Sequence, residues 1–378
     1  MSIYGFNFPT PIRFGAGSSK EVATHLLEQG FKKVLVVTDK GVGQQSFFKE
    51  FVELLNSQGL STEVFDAIWG NPVKSQVLAG AEAFKNAGAE AMIGIGGGAA
   101  LDVAKAIGVC INHTEDLFAY EDRPGALAID QPIPYWVALP TTAGTGSEVG
   151  RSAVISDDET HLKKIIFAPS LLASRVFADP ELTLGLPPHV TAATGMDALT
   201  HLVEAFLAQG YHPMCDGIAL EGMRMVKNSL VQAVHEPGNL QARSDMLLAS
   251  LMGAVAFQKG LGVVHSCAHA LSTVADLHHG LANGIMIHHA LAFNAEVVPD
   301  RFERMSAALG LDESVNAFFH WLKALSAEIG VPYKLADAKV GPEHLDALVE
   351  VAIADGCHAS NPRVCTREDF VRIFNAAF

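Results

Sequence analysis

The chain has 378 residues, of which 49% are hydrophobic and 18% charged, and its formal net charge is −15. This length fits two domains better than one, and the apolar content excludes extensive disorder. A uniformly acidic protein repels phosphate backbones and anionic lipid, so neither nucleic acid nor a membrane is an expected partner.

Cysteine usage and the N-terminal segment indicate where the protein resides. The five cysteines form no CxxC pair, which is typical of reduced thiols rather than of a disulfide framework. The segment MSIYGFNFPTPIRFG has no basic stretch followed by an apolar run, and no apolar run approaches the length of a membrane span. These features predict a cytoplasmic protein.

Short apolar runs alternate with helical patterns in the first half of the chain. Residues 33–38 (KVLVVT), 91–95 (AMIGI) and 135–139 (YWVAL) predict buried strands, whereas 46–58 and 77–87 have helical spacing. Shorter strand candidates lie at 153–155 and 176–178. Such alternation predicts a parallel sheet covered by helices.

The character of the sequence changes after Asp179-Pro180. Beyond the proline-bounded segment PELTLGLPP strand signals nearly vanish, and most stretches have helical spacing. We therefore predict an α/β dinucleotide-binding domain over residues 1–185 and an all-helical domain over residues 186–378. Ligand sites often lie at such domain junctions.

A glycine turn follows the predicted strand 91–95. Gly96, Gly97 and Gly98 open the helical segment GGGAALDVAK, which contains Asp102. Glycines let a ligand approach the backbone, and a helix N-terminus offers unpaired N–H groups, a combination that suits a pyrophosphate. The alternative is a tight turn without a ligand, since the segment matches neither GxGxxG nor a P-loop.

Two further features lie at the ends of predicted strands. Asp39 ends the first strand, where a carboxylate can accept hydrogen bonds from an adenosine ribose and would repel a 2′-phosphate, which favours NAD over NADP. The alternative is an aspartate in a surface turn. Residues 140–148 (PTTAGTGSE) form a hydroxyl- and glycine-rich loop that can wrap around a polar ligand.

Aspartate and histidine recur at helical spacing in the second half. Asp197 and His201 are four residues apart, as are His265 and His269, and residues at this spacing share a helix face. Six of the 16 histidines lie within residues 265–289. A lone histidine on an apolar helix is usually a core residue, but this recurrence predicts a metal site. One carboxylate and three imidazoles suit Fe²⁺, Zn²⁺, Mn²⁺, Ni²⁺ or Co²⁺.

At these residues the chain resembles the iron-dependent (group III) alcohol dehydrogenase family across essentially its whole length. The motifs that carry the resemblance are VVTDKG, GGGAALDVAKAIG, PTTAGTGSEVG, DPELTLGLPP, TAATGMDALTH, AFQKGLGVVHSCAH and HHGLAN. The resemblance implies a dehydroquinate-synthase-like fold, with an N-terminal dinucleotide domain and a helical, metal-binding C-terminal domain.

The resemblance also implies the roles of individual residues. The metal ligands would be Asp197, His201, His265 and His279, while His269 would lie by the nicotinamide and the substrate as a catalytic proton relay. His278 matches no family ligand and is interpreted either as a residue that supports the ligands without binding the metal or as a structural residue. Positions expected to contact NAD are Asp39, Gly96, Gly97, Gly98, Asp102, Thr141, Thr142, Thr145 and Lys163. The chain departs from the family pattern at two places: Ala99 replaces a serine of the glycine turn, which removes one hydroxyl near the phosphates, and HALS replaces HPLG at residues 269–272, which concerns the shape of the pocket.

The implied function is an NAD-linked, metal-dependent alcohol dehydrogenase or aldehyde reductase that acts on a small primary alcohol, a diol or an ω-hydroxy acid. The expected metal is Fe²⁺, with Zn²⁺ as the alternative, and the expected assembly is a homodimer or larger homo-oligomer. Two other functions stay open: a glycerol-dehydrogenase-like polyol enzyme, and a non-redox sugar-phosphate cyclase. The cyclase needs clustered cations for a phosphate, and the metal region is poor in them.

Some motif variants resemble the subgroup that includes 4-hydroxybutyrate dehydrogenases. These variants are AFQKGLG, HHG and Val149-Gly150-Arg151-Ser152. Under this interpretation Arg151 or Lys259 would bind a substrate carboxylate. The alternative is that each is a surface cation or one on the cofactor side.

Overall fold

The computed structural model describes residues 6–8 and 10–378. Their contacts divide them into two compact units. The sheet unit comprises residues 10–142 and 146–183, and the helical unit comprises residues 6–8, 143–145 and 184–378. The predicted fold class, an α/β part followed by an all-α part, is confirmed.

The sheet unit is built on a parallel sheet. Its described strands are β1 Ile12–Phe14, β2 Lys33–Val37, β3 Ser61–Phe65, β4 Ala91–Gly96, β5 Tyr135–Pro140, β6 Ser152–Ser156, β7 Lys163–Phe167 and β8 Arg175–Ala178. Six of these strands form the parallel sheet in the order β1-β8-β5-β4-β2-β3, and β6 pairs with β7 as a separate antiparallel ribbon. The predicted strands at 33–38, 91–95 and 135–139 are thus neighbours at the centre of the sheet.

Burial explains why the central strands have continuous apolar sequences. Every residue of β4 is buried, as expected for a parallel strand covered on both faces. The helices of this unit are α1 Val22–Glu28, α2 Lys40–Gly43, α3 Ser46–Ser57, α4 Lys74–Ala87 and α5 Gly98–Asn112. Because β2, β4 and β5 are parallel neighbours, the segments that follow them lie at the same edge of the sheet. That edge positions Asp39, Gly97 and Thr141.

The helical unit is organised around one buried helix. Its helices are α6 Pro188–Leu207, α7 Pro213–His235, α8 Leu240–Ala256, α9 Val263–Ala275, α10 His279–Ala295, α11 Pro299–Ala308, α12 Val315–Glu328, α13 Leu345–Ala354 and α14 Arg367–Ala377. Helix α6 is buried from Thr191 onwards and packs against α7, α8 and α10. A helix enclosed in this way can hold polar side chains away from water.

Two short segments belong to a different unit from the one predicted. Residues 6–8 and 143–145 fall within the predicted domain 1–185, but their contacts place them in the helical unit. Asn7 N–H donates to Gln258 Oε1 at 3.0 Å. A Cβ atom on Gly144 would lie 2.8 Å from the Cβ of Thr194, so only glycine allows this loop to approach α6 so closely.

A helix that spans a membrane must be both long and apolar. No single helix among the described residues is long and apolar enough to cross a bilayer. One pair, Leu240–Lys259 and Val263–Ala275, meets the length and composition only jointly and is bent by 108° at its break.

Candidate functional site

Four side chains of the helical unit converge on a small volume. Asp197 and His201 lie one turn apart on α6, His265 lies in the first turn of α9, and His279 begins α10. From Asp197 Oδ1 the distances to the Nε2 atoms are 4.0 Å for His201, 3.9 Å for His265 and 3.5 Å for His279. These distances are too long for hydrogen bonds. They are close to the separation of about 3.4 Å between ligands of a tetrahedral ion with bonds of roughly 2.1 Å.

The chemistry of this group matches its spacing. Asp197, His201 and His265 are each at most 5% exposed, and the ligand atoms of Asp197, His265 and His279 all lie within 4.8 Å of one another. A buried carboxylate among imidazoles needs a compensating charge, and a divalent cation supplies it. The predicted ligand set therefore fits one divalent metal ion.

His265 is oriented by Glu204, a residue that sequence analysis did not identify. Glu204 Oε2 lies 2.6 Å from His265 Nδ1, and the same carboxylate accepts the backbone N–H groups of Gly262 and Val264. Burial lowers the pKa of His265, but the hydrogen bond and charge of Glu204 outweigh it, so the net shift is upward. The helical spacing could have identified Glu204, because it lies three residues after His201 on the same face of α6.

His201 lies in a different electrostatic environment. Its Nδ1 atom is 3.3 Å from the carbonyl oxygen of Gly144, and its ring is stacked on that of His265 with 4.6 Å between centroids. Burial lowers the pKa of His201 to about 4. Its imidazole is therefore neutral near pH 7, which is the form that binds a metal.

Asn283 is a second residue that sequence analysis missed. It is fully buried on α10, one turn after His279, and its Nδ2 atom donates to Asp197 Oδ1 at 2.7 Å. The same nitrogen lies 3.4 Å from His265 Nε2 and 3.2 Å from His279 Nε2. Asn283 therefore fixes the carboxylate of Asp197 within the ligand group.

His269 lies beside the ligand group without belonging to it. Its ring is stacked on that of His279 with 5.2 Å between centroids, whereas its Nδ1 atom lies 2.7 Å from Asp355 Oδ2. Asp355 follows the end of α13, and nothing in the sequence pattern connected it with His269. The neighbouring His278 caps α10 by accepting the N–H of Leu281 at 3.4 Å, in agreement with its structural interpretation.

The glycine turn of the sheet unit leads directly into a helix. Gly96 has φ 154°, and a Cβ atom there would lie 2.6 Å from the Cβ of Ala100. The N-cap residue of α5 is Gly97, which has no side chain to occupy the N–H groups of the first turn. These groups and the helix dipole can bind an anion at this end of the sheet.

Several predicted cofactor positions surround this turn. Thr141 N–H donates to Gly96 O at 2.9 Å, and a Cβ atom on Gly97 would lie 3.3 Å from the side chain of Thr142. Asp39 lies close by, because its Oδ2 atom would be 3.2 Å from a Cβ atom on Gly96. Its other oxygen accepts the N–H groups of Gly41 and Val42, so Asp39 also caps α2.

The remaining predicted positions lie in other surroundings. The carboxylate of Asp102 accepts Ser147 Oγ at 2.5 Å and Val154 N–H at 3.0 Å, which ties a loop to α5. Lys163 begins β7 on the separate ribbon, and Thr145 belongs to the helical unit. Contacts between these three residues and a cofactor remain predictions.

The two cations considered for a substrate carboxylate differ in their surroundings. Lys259 Nζ donates to Asp216 at 2.6 Å and to the carbonyl of Phe206 at 2.9 Å, and its side chain is 1% exposed. This ammonium group is buried and already hydrogen-bonded inside the helical unit, where Asp216 also pairs with Arg301 at 2.8 Å, and this burial argues against a carboxylate-binding role for Lys259. Arg151 lies over the ring of Phe167 in the sheet unit.

The α/β unit has a parallel sheet with a glycine turn, and the all-α unit has the buried aspartate and histidines. These features define a metal-dependent enzyme with an α/β unit and an all-α unit. Residues 9–180 match the model of the iron-containing alcohol dehydrogenases, and residues 191–378 match the C-terminal model of the same family. The chain belongs to the iron-containing alcohol dehydrogenase family. The predicted family and the predicted reaction class, an oxidoreductase that acts on alcohols, are confirmed.

Similar proteins extend over nearly the whole chain. The chain is 36% identical to 4-hydroxybutyrate dehydrogenase of Cupriavidus necator, over 91% of this chain and 92% of that protein. It is 34% identical to NAD-dependent methanol dehydrogenase of Bacillus methanolicus, over 98% and 99%. The crystal structure of 1,3-propanediol oxidoreductase superposes with a TM-score of 0.94 at 34% identity, over 100% of both chains.

Proposed function

We propose that this protein is an NAD-linked, Fe²⁺-dependent dehydrogenase that interconverts a small primary alcohol and its aldehyde. The observation that carries the proposal is the buried group of Asp197, His201, His265 and His279, whose spacing and donor atoms suit one divalent ion. Membership in an iron-containing family supports Fe²⁺, and Zn²⁺ is the alternative that the same donors accept.

The residues of the helical unit have distinct tasks in this reaction. A divalent cation in the group supplies a Lewis acid that lowers the pKa of an alcohol hydroxyl. With one carboxylate and three neutral imidazoles as its ligands, a divalent cation would leave the site with a net positive charge. That charge would favour a substrate oxygen that is losing its proton. His269 accepts that proton at Nε2 and passes it to solvent, to which its side chain is 17% exposed.

The sheet unit would hold the nicotinamide cofactor, which would supply hydride-transfer chemistry when bound. Its pyrophosphate binds at the first turn of α5, over Gly96, Gly97 and Gly98. Asp39 accepts hydrogen bonds from the adenosine ribose and disfavours NADP by charge repulsion. The name of the relative from Bacillus methanolicus supports NAD. Asp102, Thr141, Thr142 and Lys163 of the sheet unit would make further contacts, and the contact of Thr145, which belongs to the helical unit, stays a prediction.

The substrate is a short alcohol with a second polar group, either a diol or an ω-hydroxy acid. Two similar proteins are named for 1,3-propanediol and 4-hydroxybutyrate, which are such molecules. Arg151 is the remaining candidate for binding a substrate carboxylate. The protein acts as a homodimer or larger homo-oligomer in the cytoplasm.

The direct test is NADH formation by protein purified anaerobically, stripped of metal and then reloaded with Fe²⁺ or Zn²⁺. The substrates are methanol, 1,3-propanediol, glycerol and 4-hydroxybutyrate, with NADP⁺ as the control cofactor. We expect activity only after reloading, with the highest rate for Fe²⁺ and NAD⁺. Asp39→Gly should raise the use of NADP⁺. Metal-independent turnover, or none with any alcohol despite bound metal and NAD, would overturn the proposal.

A further inference from the structure

One ring nitrogen of His269 is hydrogen-bonded to the carboxylate of Asp355, which is not among the predicted metal ligands. It lies four residues after His265 on α9, so both rings are on the same helix face. The distance from His269 Nδ1 to Asp355 Oδ2 is 2.7 Å, whereas Cys357 Sγ lies 3.9 Å from the same nitrogen. The short contact is a charge-assisted hydrogen bond.

Asp355 is itself held in place from its other side. Its Oδ1 atom accepts the hydroxyl of Ser266 at 2.7 Å and the backbone N–H of Cys357 at 2.8 Å, which leaves Oδ2 for His269. Burial raises the pKa of Asp355, but the hydrogen bonds from His269, Cys357 and Ser266 outweigh it, so the pKa lies well below its usual range. The carboxylate is therefore ionised and can only accept hydrogen bonds.

His269, Asp355 and Cys357 could instead form a second metal site, because their ligand atoms lie within 4.8 Å of one another. The spacing argues against it. Two ligands of one tetrahedral ion are about 3.4 Å apart when the bonds are roughly 2.1 Å long. The distance of 2.7 Å between His269 Nδ1 and Asp355 Oδ2 is that of a hydrogen bond.

We propose that Asp355 is a positioning residue that keeps the ring proton of His269 on Nδ1 and fixes the ring, so that Nε2 is the acceptor for the substrate hydroxyl. A neutral imidazole carries one N–H, and the tautomer is set by the partner of either nitrogen. An ionised carboxylate at Nδ1 selects the Nδ1–H form. Only the role given to Nε2 rests on the proposed function; the tautomer and the orientation do not.

The tautomer can be measured on the intact protein. Histidine-selective ¹⁵N labelling of the Zn²⁺-loaded enzyme gives two ring nitrogen signals per histidine, and His269→Ala identifies those of His269. We expect the proton on Nδ1 in the wild-type protein. A proton on Nε2 overturns the proposal, and this measurement needs no substrate and no variant of Asp355.

Kinetics then separate positioning from a purely structural role. Asp355→Asn removes the charge and can offer an amide N–H to Nδ1, which selects the wrong tautomer. We expect kcat to fall by roughly 10- to 100-fold, less than the roughly 10²- to 10⁴-fold that a general acid–base group itself supplies, because His269 is still present; KM should change by less than about 3-fold. Metal content should be unchanged.

A double variant gives the decisive comparison. If Asp355 acts through His269, then Asp355→Asn in a His269→Ala background should cost no more than about 2-fold in kcat, because the interaction is already absent. The matched control is Asp369→Asn, which removes a carboxylate that caps α14 and should leave kcat unchanged. If Asp355→Asn fails to fold, Asp355→Glu keeps the charge and should retain the Nδ1–H tautomer.

Each outcome bears on one hypothesis. Equal losses from Asp355→Asn in both backgrounds, or an unchanged kcat in the single variant, would overturn the positioning role. If the wild-type enzyme oxidises no alcohol with NAD⁺, the proposed function fails, whereas the tautomer measurement still tests the proposal about Asp355.

Discussion

Glu204 and His265 share a hydrogen bond of 2.6 Å between Oε2 and Nδ1, and both side chains are 1% exposed. The carboxylate accepts a hydrogen bond from Nδ1 of the His265 ring, so Nε2, which lies 3.9 Å from Asp197 Oδ1, is the nitrogen left to bind a metal. The pair links the last turn of α6 to the first turn of α9. It therefore sets both the position and the tautomer of a metal ligand.

This relationship predicts the effect of Glu204→Gln. The amide can present its NH₂ group to Nδ1 and so favour the wrong tautomer. We expect metal affinity to fall by roughly 10- to 100-fold, as is typical when the partner of a ligating histidine is changed. Competition with a chelator measures it, and Glu221→Gln, which alters an exposed ion pair on α7, is the control. Unchanged affinity would contradict the role given to Glu204.

The adjacent residues His278 and His279 allow a sharper comparison. His279→Ala removes a ligand, so metal content should fall strongly, with little loss of stability in the metal-free protein. His278→Ala should retain the metal but lose about 1 kcal/mol of stability, because His278 caps α10. Elemental analysis and urea unfolding of the two variants measure these effects. Equal metal loss in both would show that the assignment of His279 is wrong.

Sequence patterns identified the central strands β2, β4 and β5 and the shorter strands β6 and β8, but not β1, β3 or β7. Strands β2, β4 and β5 were predicted because burial on both faces demands continuous apolar runs. Strand β1 is exposed at every residue and β3 at most of its residues, and both lie at the edges of the sheet. Edge strands need no apolar pattern, so their sequences, IRF and STEVF, did not predict strands.

In the candidate site, sequence patterns predicted contacts between residues close in sequence but not contacts between distant ones. Asp197 and His201 are four residues apart, so helical periodicity alone predicted that their side chains are neighbours. The partners that orient the histidines lie far away in sequence: Glu204 and His265 are 61 positions apart, and His269 and Asp355 are 86 apart. Such pairings depend on how helices pack, which local periodicity does not encode.

Gly96 provides a test of the cofactor turn. Its φ of 154° and the close approach of Ala100 leave no room for a Cβ atom, so Gly96→Ala should displace the first turn of α5. We expect loss of NAD binding, measured by fluorescence titration. Gly88→Ala is the matched control, because Gly88 has φ 59° and open space around it. That variant should cost about 1 kcal/mol through backbone strain alone. Unaltered NAD affinity in Gly96→Ala would contradict the assignment of this turn.

The burial of the Glu148 carboxyl group should make the stability of the protein depend on pH. It is 1% exposed in the sheet unit, and its Oε1 atom has no hydrogen-bond partner among the described residues. Burial raises its pKa to about 7, although the charge of Lys105 opposes the shift. Between the unfolded value of 4.5 and about 7, the folded state binds more protons than the unfolded state. The stability that protonated Glu148 contributes is thus present below the unfolded pKa and lost as pH rises through the folded pKa.

Glu148→Gln should remove this pH dependence, because the amide stays neutral. Relative to this variant, the wild-type protein should lose up to about 3 kcal/mol of unfolding free energy between about pH 4.5 and pH 8. Urea unfolding of metal-free protein measures the difference, since metal binding itself varies with pH. Glu53→Gln, at an exposed position on α3, should follow the wild-type curve. If Glu148→Gln also follows it, the pKa of Glu148 is the same in the folded and unfolded protein, and Lys105 compensates for the burial of the carboxylate.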